Sequence, residues 1–219
     1  MSKKAKLVDF RRFFMDLARI VCIPLPFILR IKKVTPEGEP YREKIRGGAL
    51  LAANHTRFSD PFVVATAFWY RRAFFFVGEV VMKNPVIATL LRGVGAIKVE
   101  RGSVDLDAIK KSVSVMKEGR LLIVFPQGGI TQTEDVQAIK SGSALMALQA
   151  QAPIIPMYIC PKKHWYERQL VVVGNTINPA DVCTKKVPSL GDIQKITDAL
   201  MAEMNRCAMV NREVKEANL

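Results

Sequence analysis

In the stretch LAANHTRFSDPF, residues 51–62, a histidine ends an apolar run and an aspartate follows five positions later. His55 and Asp60 are the residues of this chain best suited to proton transfer. An aspartate that accepts a hydrogen bond from one imidazole nitrogen fixes the tautomer and leaves the other nitrogen able to take a proton from a hydroxyl. Such general-base help is worth roughly a hundred- to ten-thousandfold in rate. The same residues also read as plain architecture: Asp60 before Pro61 makes a good helix start, with the carboxylate as N-cap and proline at the first helical position. His164, in PKKHWYE, lacks a comparable partner at that spacing and reads as a surface or interfacial residue.

Three other features bear on chemistry. Gly93-Val-Gly95 is a weak dinucleotide signal, with Lys98 where a third glycine would stand and no strand before it. FPQGG, residues 125–129, is a glycine-bearing loop at a strand end; without a following GK[ST] it is not a nucleotide P-loop, but its backbone N–H groups could shape an anion or oxyanion pocket. Arg101, just after IKVE, is either a solvated strand-end charge or a phosphate ligand using its planar fork.

The elements that must position these residues alternate along the chain. Apolar runs predict strands over 49–53, 73–77, 96–99, 121–125, 154–159 and 170–173, and helical spacing predicts helices over 61–69, 85–91, 106–117, 136–150 and 192–210. That alternation implies an α/β fold with a mostly parallel central sheet flanked by helices. His55, Arg101 and FPQGG then all emerge at carboxyl ends of strands, where open α/β sheets bind ligands.

Ahead of this domain, Leu7, Phe10, Phe14, Leu17, Val21, Leu25 and Ile28 fall at three-and-four spacing, with Asp9, Arg11, Arg12, Asp16 and Arg19 on the other face. The segment is an amphipathic basic helix, broken by Pro24 and Pro26, that either packs on the domain or lies in a membrane interface. It is too short and too interrupted to span a bilayer, which takes about 20 mostly apolar residues. Residues 35–48 read as a turn-rich connector. The expected division is therefore 1–34 as the N-terminal helical segment and 35–219 as the α/β domain.

The 219 residues carry a formal charge of +13, heaviest at the N-terminus, which calls for an anionic partner: nucleic acid, a headgroup surface or a phosphorylated substrate. No stacking motif, zinc finger or helix-turn-helix signature supports nucleic acid, which is not expected as a partner. The four cysteines, Cys22, Cys160, Cys183 and Cys207, are scattered without C-x-x-C pairs, so neither a metal site nor a disulfide framework is expected, and a reducing compartment fits.

Taken in order, NHTRFSD, GVGAIKVERG, LLIVFPQGG and APIIPMYI resemble the four sequence blocks of the glycerolipid acyltransferase family, whose best-known members acylate 1-acylglycerol-3-phosphate; K-S-G at 140–142 is similar to the K-x-G after the third block. The resemblance covers about residues 49–160. It implies transfer of a fatty acyl group from acyl-coenzyme A or acyl carrier protein, as co-substrate and without a resident cofactor, to a lysolipid hydroxyl, giving phosphatidic acid from 1-acylglycerol-3-phosphate. It also implies His55 as general base, Asp60 as its orienting partner, Arg101 as a contact to the acceptor phosphate, and Gln127, Gly128 and Gly129 as substrate-binding residues, with backbone N–H groups near the two glycines facing the oxyanion. Pro156, in the fourth block, is structural.

The third block departs from the common form FPEGTRS: Gln127, Gly129 and Ile130 stand where glutamate, threonine and arginine are usual. A different lysolipid, a lipid hydroxyl without phosphate, or a non-catalytic lipid-binding role are the alternatives this leaves open. The resemblance turns the N-terminal segment toward membrane docking, with the protein peripheral or monotopic on the cytoplasmic face of an anionic phospholipid membrane.

Overall fold

The computed structural model describes residues 16–17, 20, 24, 28–100, 105–130, 139–162, 164, 167–183 and 189–217, the last seven by backbone alone. Seven strands form one sheet: β1 (Lys32–Val34), β2 (Ala49–Ala53), β3 (Ala73–Gly78), β4 (Ala96–Val99), β5 (Leu121–Val124), β6 (Ile154–Ile159) and β7 (Leu170–Val173). Their order is β1-β7-β6-β2-β5-β3-β4. The five strands from β6 to β4 run parallel; β7 turns antiparallel beside β6 and β1 pairs parallel with β7. The expected α/β fold with a mostly parallel sheet is therefore present. The central strands β2, β5 and β6 are buried at every position, as continuous apolar runs covered on both faces must be.

The helices are α1 (Asp60–Ala67), α2 (Pro85–Gly93), α3 (Leu106–Lys117), α4 (Gly142–Ala150), α5 (Pro179–Val182) and α6 (Leu190–Ala217), with a 3₁₀ helix at Glu79–Lys83. The crossovers β2–α1–β3 and β3–α2–β4 move across the sheet one way, and β4–α3–β5 and β5–α4–β6 move back. Right-handed connections then place α1 and α2 on one face, α3 and α4 on the other. The core follows this division: Val63, Val64 and Ala67 of α1 pack with Leu51, Ala53 and Ile123, while Val115, Met116, Ala147 and Leu148 pack with Leu50, Ala52 and Leu122.

Two elements, β1 and α4, differ from the sequence expectation in ways that matter below. β1, Lys-Lys-Val, has no apolar run to betray it; it is an edge strand at the end of the 1–34 segment and is anchored by contact rather than composition. Lys33 Nζ donates to the Ala67 carbonyl at 3.1 Å and lies 4.7 Å from the Phe68 ring centroid, a cation at the carboxyl end of α1, and burial lowers its pKa. Helix α4 starts at Gly142 rather than 136: residues 139–140 are not helical, and the Lys140 N–H donates to the Pro126 carbonyl at 3.0 Å instead of to a helix carbonyl. Pro156 sits inside β6, where a missing N–H would normally break a ladder. Its carbonyl accepts from Gly174 N at 2.9 Å, just past the end of β7, so the missing donor falls where the partner strand has stopped.

Most of the N-terminal segment lies outside the described residues, but Asp16 does not sit on a solvated face. Its carboxylate takes both ends of the Arg72 guanidinium, Nε at 2.8 Å and Nη2 at 2.7 Å, with both side chains buried. Of the large apolar residues described there, Leu17, Ile20 and Ile28 are exposed. A paired buried charge faces inward because breaking the pair strands its partner in low dielectric. At the opposite end of the sheet, Asn54 bridges two strand ends: its amide donates to the Ile159 carbonyl at 3.1 Å and its oxygen accepts from Ile159 N at 2.6 Å.

Asp16→Ala is expected to lower unfolding free energy by about 3–5 kcal/mol in urea titrations, with Arg72→Leu in the same chain recovering part of it; an unchanged midpoint would show the pair to be dispensable. Asn54→Ala should lower stability by about 2–4 kcal/mol, since it leaves two buried backbone groups of Ile159 without partners.

Candidate active site

Three adjacent strands deliver the site. β2 ends in Asn54 and His55, β5 ends in Phe125 and the turn that follows, and β6 ends at Ile159, to which Asn54 ties the β2 end. All three carboxyl ends lie on one edge of the parallel sheet, which is where the sequence order placed the chemistry.

Asp60 is 2% exposed, and its Oδ2 gathers the loop that begins at His55. It accepts from Thr56 N and Arg57 N, both at 2.7 Å, and lies 3.2 Å from His55 Nδ1. The N-cap expectation for Asp60 is therefore corrected. Ser59 precedes the helix, Asp60 is its first residue, and Phe62 N and Val63 N donate to the Ser59 carbonyl. The Asp60 carboxylate instead reaches backward to the preceding loop, because two amides and an imidazole there satisfy a buried carboxylate that the helix amides no longer need.

This geometry assigns the tautomer: with Nδ1–H donating to Asp60, Nε2 carries the lone pair. The imidazole stacks on the Phe125 ring, centroids 4.2 Å apart and planes 24° off parallel, and its side chain is 15% exposed. The ring is thus held from one side by a carboxylate and across its face by an aromatic, with limited access to solvent. Such an arrangement can withdraw a proton from a hydroxyl that approaches Nε2.

The FPQGG turn leans on the same loop. Gln127 Oε1 accepts from His55 N at 3.4 Å, and Gly128, at φ 80°, closes the turn by donating its N–H to the Phe125 carbonyl at 3.0 Å. The Gly128 amide is therefore spent within the turn, whereas Gly129 N makes no hydrogen bond among the described residues. Arg57, the cation of this loop, donates from Nη2 to the Lys162 carbonyl at 2.6 Å, which ties the loop to the segment after β6. Burial lowers the Lys162 pKa, opposed by Glu167 and reinforced by Arg57. Arg101 lies outside the described residues. His164 is exposed.

The structure thus brings together His55, Asp60, Gln127, Gly128 and Gly129 of the residues singled out from sequence. Sequence reasoning missed Asn54 and Phe125 as parts of the site. Their signal was only adjacency, one residue before the histidine and the last apolar residue before the glycine turn.

The family model described as Acyltransferase matches residues 33–160. Similar curated proteins include the 1-acyl-sn-glycerol-3-phosphate acyltransferase of Bacillus subtilis (strain 168), 23% identical over 158 residues, covering 70% of this chain and 77% of that protein. The protein of the same name from Streptococcus pneumoniae is 28% identical over 161 residues, covering 72% of this chain and 59% of that protein. Among solved structures, the 1-acyl-sn-glycerophosphate (LPA) acyltransferase PlsC of Thermotoga maritima shares the fold, with a TM-score of 0.57 at 19% identity over 95% of this chain and 81% of that one. With the family match extending from β1 through the end of β6 and so including every strand end that builds the site, this chain belongs to the acyltransferase family.

Proposed function

We propose that the protein transfers a fatty acyl group from an acyl thioester, on coenzyme A or acyl carrier protein, to the hydroxyl of 1-acylglycerol-3-phosphate, giving phosphatidic acid. The observation that carries this reading is the His55–Asp60 contact on the stacked, half-enclosed imidazole, within a family whose curated relatives bear that activity in their names. In the proposed reaction His55 Nε2 takes the hydroxyl proton as the oxygen attacks the thioester carbonyl. The resulting oxyanion needs a donor, and the Gly129 amide at the turn is the proposed one. The tetrahedral intermediate then expels the thiolate, which takes the proton back from His55. Asp60 holds the ring in the required tautomer and stabilises the imidazolium between these steps. Gln127 braces the His55 backbone rather than contributing charge, and Arg101 is a proposed contact to the acceptor phosphate.

A lipid acceptor calls for a protein that works at a bilayer, and we place this one peripherally on the cytoplasmic face of an anionic membrane. The 3₁₀ helix and α2 support this. They follow the carboxyl end of β3, on the edge that carries His55, and expose Val80 at 72%, Val86 at 66% and Leu90 at 59%, with Lys83 and Arg92 beside them. An apolar stripe flanked by lysine and arginine suits the headgroup boundary. Phe58 and Phe62, next to the His55 loop, are exposed as well. None of the helices of the described residues is long and apolar enough to cross a membrane. Cys160, Cys183 and Cys207 are buried, and their scattered spacing, without C-x-x-C pairs, suits a reducing compartment.

Purified protein given acyl-coenzyme A or acyl carrier protein thioesters and a panel of lysolipids should form phosphatidic acid, read by mass spectrometry of products. His55→Ala should abolish turnover, and Asp60→Asn should lower kcat by roughly a hundred- to ten-thousandfold with the fold intact by circular dichroism; full activity in both variants defeats the assignment. Removing residues 1–34 would strip Asp16 from Arg72 and β1 from the sheet, so docking is better tested at the surface. Val86→Asp with Leu90→Asp should release the protein from anionic phospholipid vesicles in flotation, and unchanged flotation counts against this face.

A further inference from the structure

The turn beside His55 carries no charge of its own from Phe125 to Ile130, yet a cation lies directly on it. Lys140 Nζ is 2.9 Å, and its Cε 3.0 Å, from the point where a Cβ on Gly128 would stand. The contact is built rather than incidental. Gly128 has the left-handed φ of 80°, which leaves its missing side chain facing the lysine, and the Lys140 N–H donates to the Pro126 carbonyl at 3.0 Å. The backbone and side chain of Lys140 therefore both follow the turn, and the late start of α4 at Gly142 is what frees residue 140 to do so. Lys140 forms no ion pair among the described residues and its side chain is exposed. By contrast, Arg57 of the His55 loop is turned away onto the Lys162 carbonyl.

We propose that Lys140 is the acceptor-specificity residue of this site, its ammonium binding the phosphomonoester of the lysolipid; this rests on the acyl-transfer reading above. The chemistry of the acceptor makes the position meaningful. In 1-acylglycerol-3-phosphate the reacting hydroxyl and the phosphate ester sit on neighbouring carbons, so a hydroxyl held at His55 Nε2 carries its phosphate to a wall next to the imidazole. The turn is such a wall: Phe125 stacks on the ring, Gln127 bonds the His55 backbone, and Gly128 follows with the ammonium over it. A phosphomonoester carries about −1.5 to −2 charges at pH 7, and a lysine meets it as a point charge tolerant of orientation. Gly128 serves by having no Cβ, since any side chain there would push the amine away from the turn.

The phosphates of an acyl-coenzyme A donor offer the same chemistry, and the experiment separates the two sources. Lys140→Gln and Lys140→Arg, with thermal midpoints matching the parent, are compared for acceptor KM, donor KM and the inhibition constant of dodecyl phosphate, with dodecanol as the uncharged control. The expected result for Lys140→Gln is an acceptor KM and a dodecyl phosphate inhibition constant raised about ten- to a hundredfold, as for loss of a charged hydrogen bond. Donor KM and dodecanol inhibition should not move, and Lys140→Arg should restore part of the loss. A change that follows donor KM assigns the lysine to the donor, and equal losses with phosphate and alcohol make it structural; either overturns the proposal. Turnover of 1-acylglycerol-3-phosphate by the parent with an unchanged KM in Lys140→Gln overturns Lys140 alone. Absence of turnover in the parent overturns the acyl-transfer reading, and dodecyl phosphate binding by calorimetry then still reads the lysine, equal affinity in parent and Lys140→Gln overturning it.

Discussion

A single carboxylate oxygen, Asp60 Oδ2, closes the loop from His55 to α1, accepting from two backbone amides and facing the imidazole Nδ1. A buried carboxylate without such donors would be forced to protonate or to unfold its surroundings. Here its satisfaction and the orientation of the histidine are one event. The loop cannot hold Asp60 without bending back over it, and bending back is what sets Nδ1 against the carboxylate. The short path between His55 and Asp60 matters for the same reason: a five-residue spacing leaves just enough chain to wrap one oxygen.

That loop is placed by the parallel sheet beneath it. Strands buried on both faces need long apolar runs and must be joined by crossovers, which brings their carboxyl ends to one edge. β2, β5 and β6 are neighbours, so His55, the FPQGG turn and Ile159 arrive together although about a hundred residues of sequence separate the first from the last. Asn54 then links β2 to β6, and Phe125 carries the tie from β5 by stacking on the imidazole. The site is therefore held by three strands of the rigid core, while the residues expected to meet lipid, Val80, Val86 and Leu90, sit on helices that bury little of their surface.

In the N-terminal segment, spacing along the chain did not tell which charged side chain turns inward. Asp16 falls on the polar face by spacing, yet it turns inward to Arg72, and Leu17 and Ile28 of the apolar stripe are exposed. Burial of an ion pair depends on a partner 56 residues away, and hydropathy along one helix carries no trace of that partner.

Strand and helix identity were legible wherever a local pattern sufficed: 96–99, 106–117, 154–159 and 170–173 have the expected bounds, since apolar runs and three-and-four spacing reflect the same burial that the folded chain enforces. The order of the motif blocks likewise determined the family and the pairing of His55 with Asp60. Tertiary structure decided the rest. β1 became visible only through its pairing with β7, Asp60 proved to bind the loop rather than cap its helix, and α4 yielded its first turn so that Lys140 could lie over Gly128. Each of these depends on contacts between residues distant in the chain, where the winning hydrogen bond or charge pair is selected by geometry that one-dimensional spacing does not contain.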